Sequence, residues 1–290
     1  MEEVLRAVFI ESVVLPLAAS LALTGALRFG LGRARGEALA SLSIAVAFLI
    51  AYAAILTWPG FPPVSSGQKL AYIVLFGLLG GAAIDLAARP PWLKRTVAVL
   101  WPAVIVAWIA WPHLKSPTTE ILITSAVLWV VGLFVLDRLR AGRAPAATAA
   151  VVLLASAVGA SLVALLGAAE LYAQLLGVLA AATGGFLLWN WPVPRHPFGE
   201  AAVLGAGGAF LSSVTILVLF SDISILALAF VLPVFGAPLL VQRLPLARKR
   251  TLAPVVLGAI CLIPVTVAVA IAFSSNAGVF ELIERDSTNS

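Results

Sequence analysis

Acidic side chains are scarce in this chain, 13 among 290 residues, and only two fall inside long apolar runs: Glu11 and Asp85. A charge near the centre of a bilayer costs about 2.5–3.5 kcal/mol on insertion scales, so its default reading is an ion or substrate pathway. Glu11 stands beside Ser12 and ahead of Pro16, about one turn into the first run. A carboxylate there has the chemistry of a proton- or ion-coupling group; the plainer reading is a side chain reaching the headgroups. Asp85 follows Gly80-Gly81 and precedes Arg89 by four residues. That spacing predicts an i,i+4 ion pair at the end of a helix. Glu170, Glu200 and Asp222 fall at the ends of runs, within reach of water, and Glu200 also suits the positive end of a helix.

Prolines inside apolar runs are the second chemical signal. Each removes a backbone donor and frees a carbonyl about one turn earlier, which a neighbour, a water or an ion must satisfy. The run Leu232-Pro-Val-Phe-Gly-Ala-Pro238 concentrates Pro233, Gly236 and Pro238 within about a turn and a half. It is the best candidate for a broken helix and, with Glu11 and Asp85, for a solute pathway; a packed kink is the alternative.

Other chemistries find little footing. His113 and His196 fall in loops expected on opposite faces, and Cys261 is the single cysteine. That inventory predicts neither a haem nor a zinc site, and no cofactor. No Ser, His and Asp fall at one depth, so no enzyme is expected. Gly205-Ala-Gly-Gly208 lies within an apolar run with no strand before it, and reads as helix packing rather than a nucleotide loop.

The elements that must carry these residues are transmembrane helices. The chain is 62% hydrophobic and 11% charged, against about 25% charged for soluble domains. About twenty apolar residues at 1.5 Å rise match a ~30 Å hydrocarbon core. Ten such runs are legible: Ala7–Gly30, Ala38–Trp58, Leu70–Ala88, Thr96–Trp111, Ile121–Leu136, Ala146–Gly167, Leu171–Trp191, Ala201–Phe220, Ile223–Val241 and Leu252–Phe273. We refer to them as the first to the tenth span. A hydrophilic tail, 275–290, follows. The first run is preceded by the acidic MEEVLR and is long, so it reads as a retained span rather than a signal peptide. The fold class expected is an all-α polytopic bundle in one transmembrane domain, with the lipid bilayer as its first partner.

Fourteen of the 18 Lys and Arg residues fall on one face of this map. The net charge of +5 therefore reads as topology and anionic lipid rather than nucleic acid. The positive-inside rule puts both termini outside the cytoplasm, most simply of a bacterial inner membrane. Ten spans divide into five and five, with units 7–138 and 146–273. Glu37, Trp58 and Pro59 return at Glu170, Trp191 and Pro192, each 133 residues on. An odd-numbered unit that repeats must be inverted, the plan of many secondary transporters. The five-plus-five plan resembles the drug/metabolite transporter superfamily, although the expected outside N-terminus departs from that family and no site residue carries over. The function expected is a permease for a small or lipophilic solute. The alternative is a non-catalytic subunit or scaffold partnered by other membrane subunits.

Overall fold

A computed structural model describes the backbone of residues 2–87, 91–142, 146–243 and 251–288, and side chains over 6–32, 35–87, 92–142, 147–243 and 251–275. Among the described residues the regular structure is all helical. Eight helices are long and apolar enough to cross a membrane: Arg6–Gly30, Ser66–Leu86, Trp92–Leu114, Thr119–Ala141, Ala147–Leu166, Glu170–Trp189, Ala202–Phe220 and Ala253–Ser275. Two shorter apolar helices, Leu42–Leu56 and Ile225–Val241, stand where the second and ninth spans are expected. The chain is thus a multi-pass helical bundle.

Burial sorts the helices into a centre and a ring. The eighth span has 83% of its apolar window buried, and the sixth 67%; the first and fifth have 22%, the fourth and tenth 28%. The reason is side-chain size. Gly205, Gly207, Gly208, Ser212 and Ser213 leave the eighth helix thin enough for neighbours on every side. The ring helices turn Leu, Val, Ile and Phe outward, as a lipid-facing surface requires. The second span packs on the seventh and the third on the eighth, while the first also packs on the seventh. The sixth has no comparable contact with the second.

Three expected spans differ in detail. In the second, the expected start at Ala38 belongs to a separate short helix, Gly32–Leu39. Gly32 takes a positive φ of 73° after the first span, and the chain turns again at Ala40-Ser41 before Leu42–Leu56. The polar sequence GRARGEAL explains the split, since it cannot lie in hydrocarbon. The ninth span is broken into Ile225–Ala229, a 3-10 segment Leu232–Gly236 and Ala237–Val241. Pro233 and Pro238 each fall in the first turn of a new segment, where the missing N–H is not needed. Phe235 anchors the break in the core, 5.6 Å from Phe210 between ring centroids. The tail expected after the tenth span is its continuation, one helix over Ala253–Thr288.

Candidate functional site

Proline and tryptophan reshape two helices before any site is built. In the first span a π-turn covers Ile10–Val14, and the Leu15 N–H reaches back five residues to the Ile10 carbonyl. Pro16, which has no N–H to give Ser12, accounts for it. The Ser12 hydroxyl accepts from the Gln174 side-chain amide at 2.9 Å. The eighth span opens with a π-turn over Ala202–Ala206. There the Trp101 indole N–H donates to the Leu204 carbonyl at 3.0 Å.

The third and eighth spans form the structural axis, and their two ends differ. At the basic end the start of the eighth helix is held by side chains from other spans. The Gly199 N–H donates to the Ser41 hydroxyl at 3.0 Å. The Glu200 and Ala201 N–H groups donate to the two oxygens of Asp85, each at 3.0 Å. Three successive donors at a helix start are therefore satisfied from the second and third spans. The Glu200 side chain, 2% exposed, turns to Arg140 of the fifth span. Arg140 Nε lies 3.2 Å from both carboxylate oxygens, and Nη2 lies 3.0 Å from one. One turn along, glycines let the backbones touch: a Cβ at Gly81 would strike the Glu200 carbonyl, and one at Gly77 the Leu204 carbonyl.

Two recesses flank this clamp. One, about 540 Å³, is walled by Lys94, Arg95, Asp137, Arg140 and Glu200. The other, about 500 Å³, lies among Arg28, Phe29, Glu37, Trp189, Arg195 and His196. There Arg28 and Glu37 approach to 3.5 Å. Buried Asn190 accepts from the backbone N–H of Arg195 at 2.9 Å and of His196 at 2.8 Å, fixing the loop. His196 is 2% exposed, and neither ring nitrogen has a hydrogen-bond partner. Burial pushes its pKa below the ordinary 6.5; Arg28 and Arg195 act the same way, and Glu37 opposes them.

At the far end a recess of about 590 Å³ lies against the start of the third span and the end of the eighth. Its walls come from both halves of the chain: Tyr52, Ser66 and Gln68 from the first, Tyr172, Ile216 and Phe220 from the second. The Tyr52 hydroxyl donates to the Gly67 carbonyl at 3.0 Å. Gln68 and Ser65 form a reciprocal cap at the start of the third span. Tyr72 ties down the loop over the rim by donating to the Pro59 carbonyl at 2.9 Å. Lys69 is buried beside it, its ammonium donating to the Trp108 carbonyl at 2.8 Å.

Between the ends the centre is filled by buried side chains, among them Phe48, Ile73, Leu176 and Phe210. Most hydroxyls there bond to a carbonyl of their own helix, as Thr183 does to Leu179 and Ser213 to Ala209. Ser212 differs: its hydroxyl is buried without a partner. It lies four residues, one turn, below Ile216 of the far recess, on the same helix face.

The pathway residues proposed from sequence are not brought together. Glu11 lies in the π-turn of the first span, half-buried. Asp85 is at the basic end, capping a helix; Arg89, its expected partner, is outside the described residues. Pro238 borders a separate recess of about 190 Å³ with Arg138, Thr148 and Gln242. Sequence reading gave Glu200 as a solvated span end or a helix-start carboxylate; it stands at the helix start, with its side chain the buried member of the Arg140 pair. The same reading passed over Ser41 and Arg140, which no local pattern marks because their partners lie 158 and 60 residues away, and it read His196 as a loop histidine. Among the described residues no group of three His, Cys, Asp or Glu side chains is placed to hold a metal ion. No family model matches the chain, and neither a curated protein nor a solved structure matches it.

Proposed function

We propose that this protein is a permease for a small, partly lipophilic solute, held in a state open at the far end and shut at the basic end. The observation that carries the reading is the third–eighth helix pair, clamped by Asp85, Glu200 and Gly81 at one end and bordered by a recess at the other. That recess is lined by both halves of the chain, and its polar groups are hydroxyls and amides rather than charges. Ser212, one turn deeper, offers the next hydrogen-bonding group on the way in.

The excess of basic residues at the clamped end puts that end in the cytosol, and both termini outside a bacterial inner membrane. Alternating access then consists of releasing the clamp while the far recess closes. Units 7–138 and 146–273 are the two halves that rock, supported by the contacts of second on seventh and third on eighth span. Glu11, at a π-turn, is the candidate coupling group: loss of flux in Glu11→Gln supports that role, and unchanged flux removes it.

The test is uptake by proteoliposomes across a panel of small amphipathic solutes. Saturable uptake of at least one solute, blocked by a bulky maleimide on Ser66→Cys, supports the permease. Absence of uptake across the panel favours the second reading, a non-catalytic membrane subunit. That reading has its own observation: an apolar groove of about 260 Å³ between the fifth, eighth and ninth spans, lined by residues such as Val127, Val131, Val218 and Leu232, into which a partner helix would fit.

A further inference from the structure

The recess around His196 is not needed by the permease reading, yet it is the most thoroughly built site on the basic face. Trp189 forms one wall, pinned by its indole N–H on the Leu21 carbonyl at 2.9 Å and by ring contacts to Phe29 and His196. Asn190 holds the opposite loop through two backbone hydrogen bonds. The cavity is therefore preformed, not a gap between mobile side chains. Its lining includes two arginines, Arg28 and Arg195, and one acidic residue, Glu37. The Arg28–Glu37 approach of 3.5 Å is longer than the ~2.7–2.9 Å of a charge-assisted hydrogen bond. A guanidinium has five N–H donors, so Arg28 keeps several for another acceptor.

The decisive observation is His196. A polar side chain this deeply buried normally has a partner, and leaving one out costs about 1–3 kcal/mol. Both of its ring nitrogens lack one. Neither nitrogen is exposed to the cavity, but no bond holds the ring, so turning it toward the recess would let one nitrogen donate to an oxyanion that also meets both guanidinium groups. Phe29, 78% exposed, forms an apolar lip where the first span ends.

We propose that this recess binds a phosphate group, carried by an anionic phospholipid whose acyl chains lie along the Phe29 side of the first span. The guanidinium groups of Arg28 and Arg195 take the charge, and the His196 imidazole donates through its N–H. The proposal stands independently of transport.

The test uses the full chain, purified in detergent, stripped of lipid and offered phosphatidylglycerol or phosphatidylcholine, with bound lipid counted by native mass spectrometry. The expected result is one phosphatidylglycerol retained per chain in preference to phosphatidylcholine. Retention should fall about tenfold or more in R28Q/R195Q, as the loss of charge-assisted contacts predicts. H196Q, which alters no charge at neutral pH, should weaken retention too and serves if the double variant fails to fold. A parallel arm adds millimolar inorganic phosphate: a rise in melting temperature seen in the wild type and absent in R28Q/R195Q keeps the phosphate site but assigns it to a soluble ligand. Equal retention of the two lipids with no response to phosphate, or wild-type retention in the variants, overturns the proposal.

Discussion

The two ends of the third–eighth helix pair use opposite means to reach opposite shapes. At the basic end, glycine removes the side chains between backbones, and charged groups lock what remains: Asp85 on two N–H groups, Arg140 on Glu200. At the far end, tyrosines, serines and a glutamine line the recess, and their hydrogen bonds go to loops and caps rather than across the pair. Charges on low-dielectric ground make an interface that is either fully formed or strongly unfavourable. Neutral hydroxyls leave a space that water or a solute can occupy at small cost. A two-state transporter requires one end of each kind at any moment.

The comparison breaks most visibly at Arg140. Arg140→Gln removes the two-point guanidinium contact from the buried Glu200 carboxylate, which should cost about 1.5–3 kcal/mol. Denaturation in detergent measures it, and adding Glu200→Gln should recover a large part. A loss no larger than that of an exposed arginine would mean the pair does not hold the end together. Next comes backbone contact. Gly81→Ala drives a Cβ into the Glu200 carbonyl and should cost about 1–3 kcal/mol. Its neighbour Gly80 has nothing within 4 Å of a built Cβ, so Gly80→Ala should be neutral or gain up to about 1 kcal/mol. Equal effects at the two glycines would deny the close approach.

Smaller effects separate the ends further. Asp85→Asn keeps one acceptor oxygen and loses the charge, at about 0.5–2 kcal/mol. Tyr52→Phe gives up one hydrogen bond, at about 0.5–1.5 kcal/mol. Only Asp85→Asn should loosen the basic end, read by faster amide exchange at Glu200 and Ala201. The smallest expected effect is on pH dependence. The folded pKa of His196 lies below its ordinary 6.5, so the unfolded chain binds the proton more readily. The stability contributed by the neutral ring is present above pH 6.5 and is lost as pH falls through the folded value. The melting temperature should drop on acidification from pH 7, and His196→Gln should flatten that drop.

Which of these features sequence alone reveals depends on the range of the physics. Apolar runs are local, so ten of them were legible, as was the break at Pro233 and Pro238, since a missing N–H acts within one turn. Only Ala38 and Leu39, the end of the short helix Gly32–Leu39, were counted into the second span, because the apolar run begins there; that the polar part before them is helical leaves no apolar signal. Asp85 was visible as an expensive charge; its expected partner Arg89 lies outside the described residues, and the backbone groups it caps, 115 and 116 residues away, leave no local trace. Arg140 and Glu200 are 60 residues apart, and each alone looks like an ordinary residue at a span end. His196 read as a loop histidine because only the fold shows that Trp189 and Asn190 bury it.

Side-resolved cysteine labelling is the most direct test of an end that is shut opposite an end that is open. In a Cys261→Ser background, Ser66→Cys should react with a membrane-impermeant maleimide added outside intact cells. Ser41→Cys, buried beneath the Gly199 contact, should stay unreactive both there and in inside-out vesicles until Arg140→Gln is added. Protection of the cysteine at 66 together with ready labelling of the one at 41 from the cytosolic side would contradict the account.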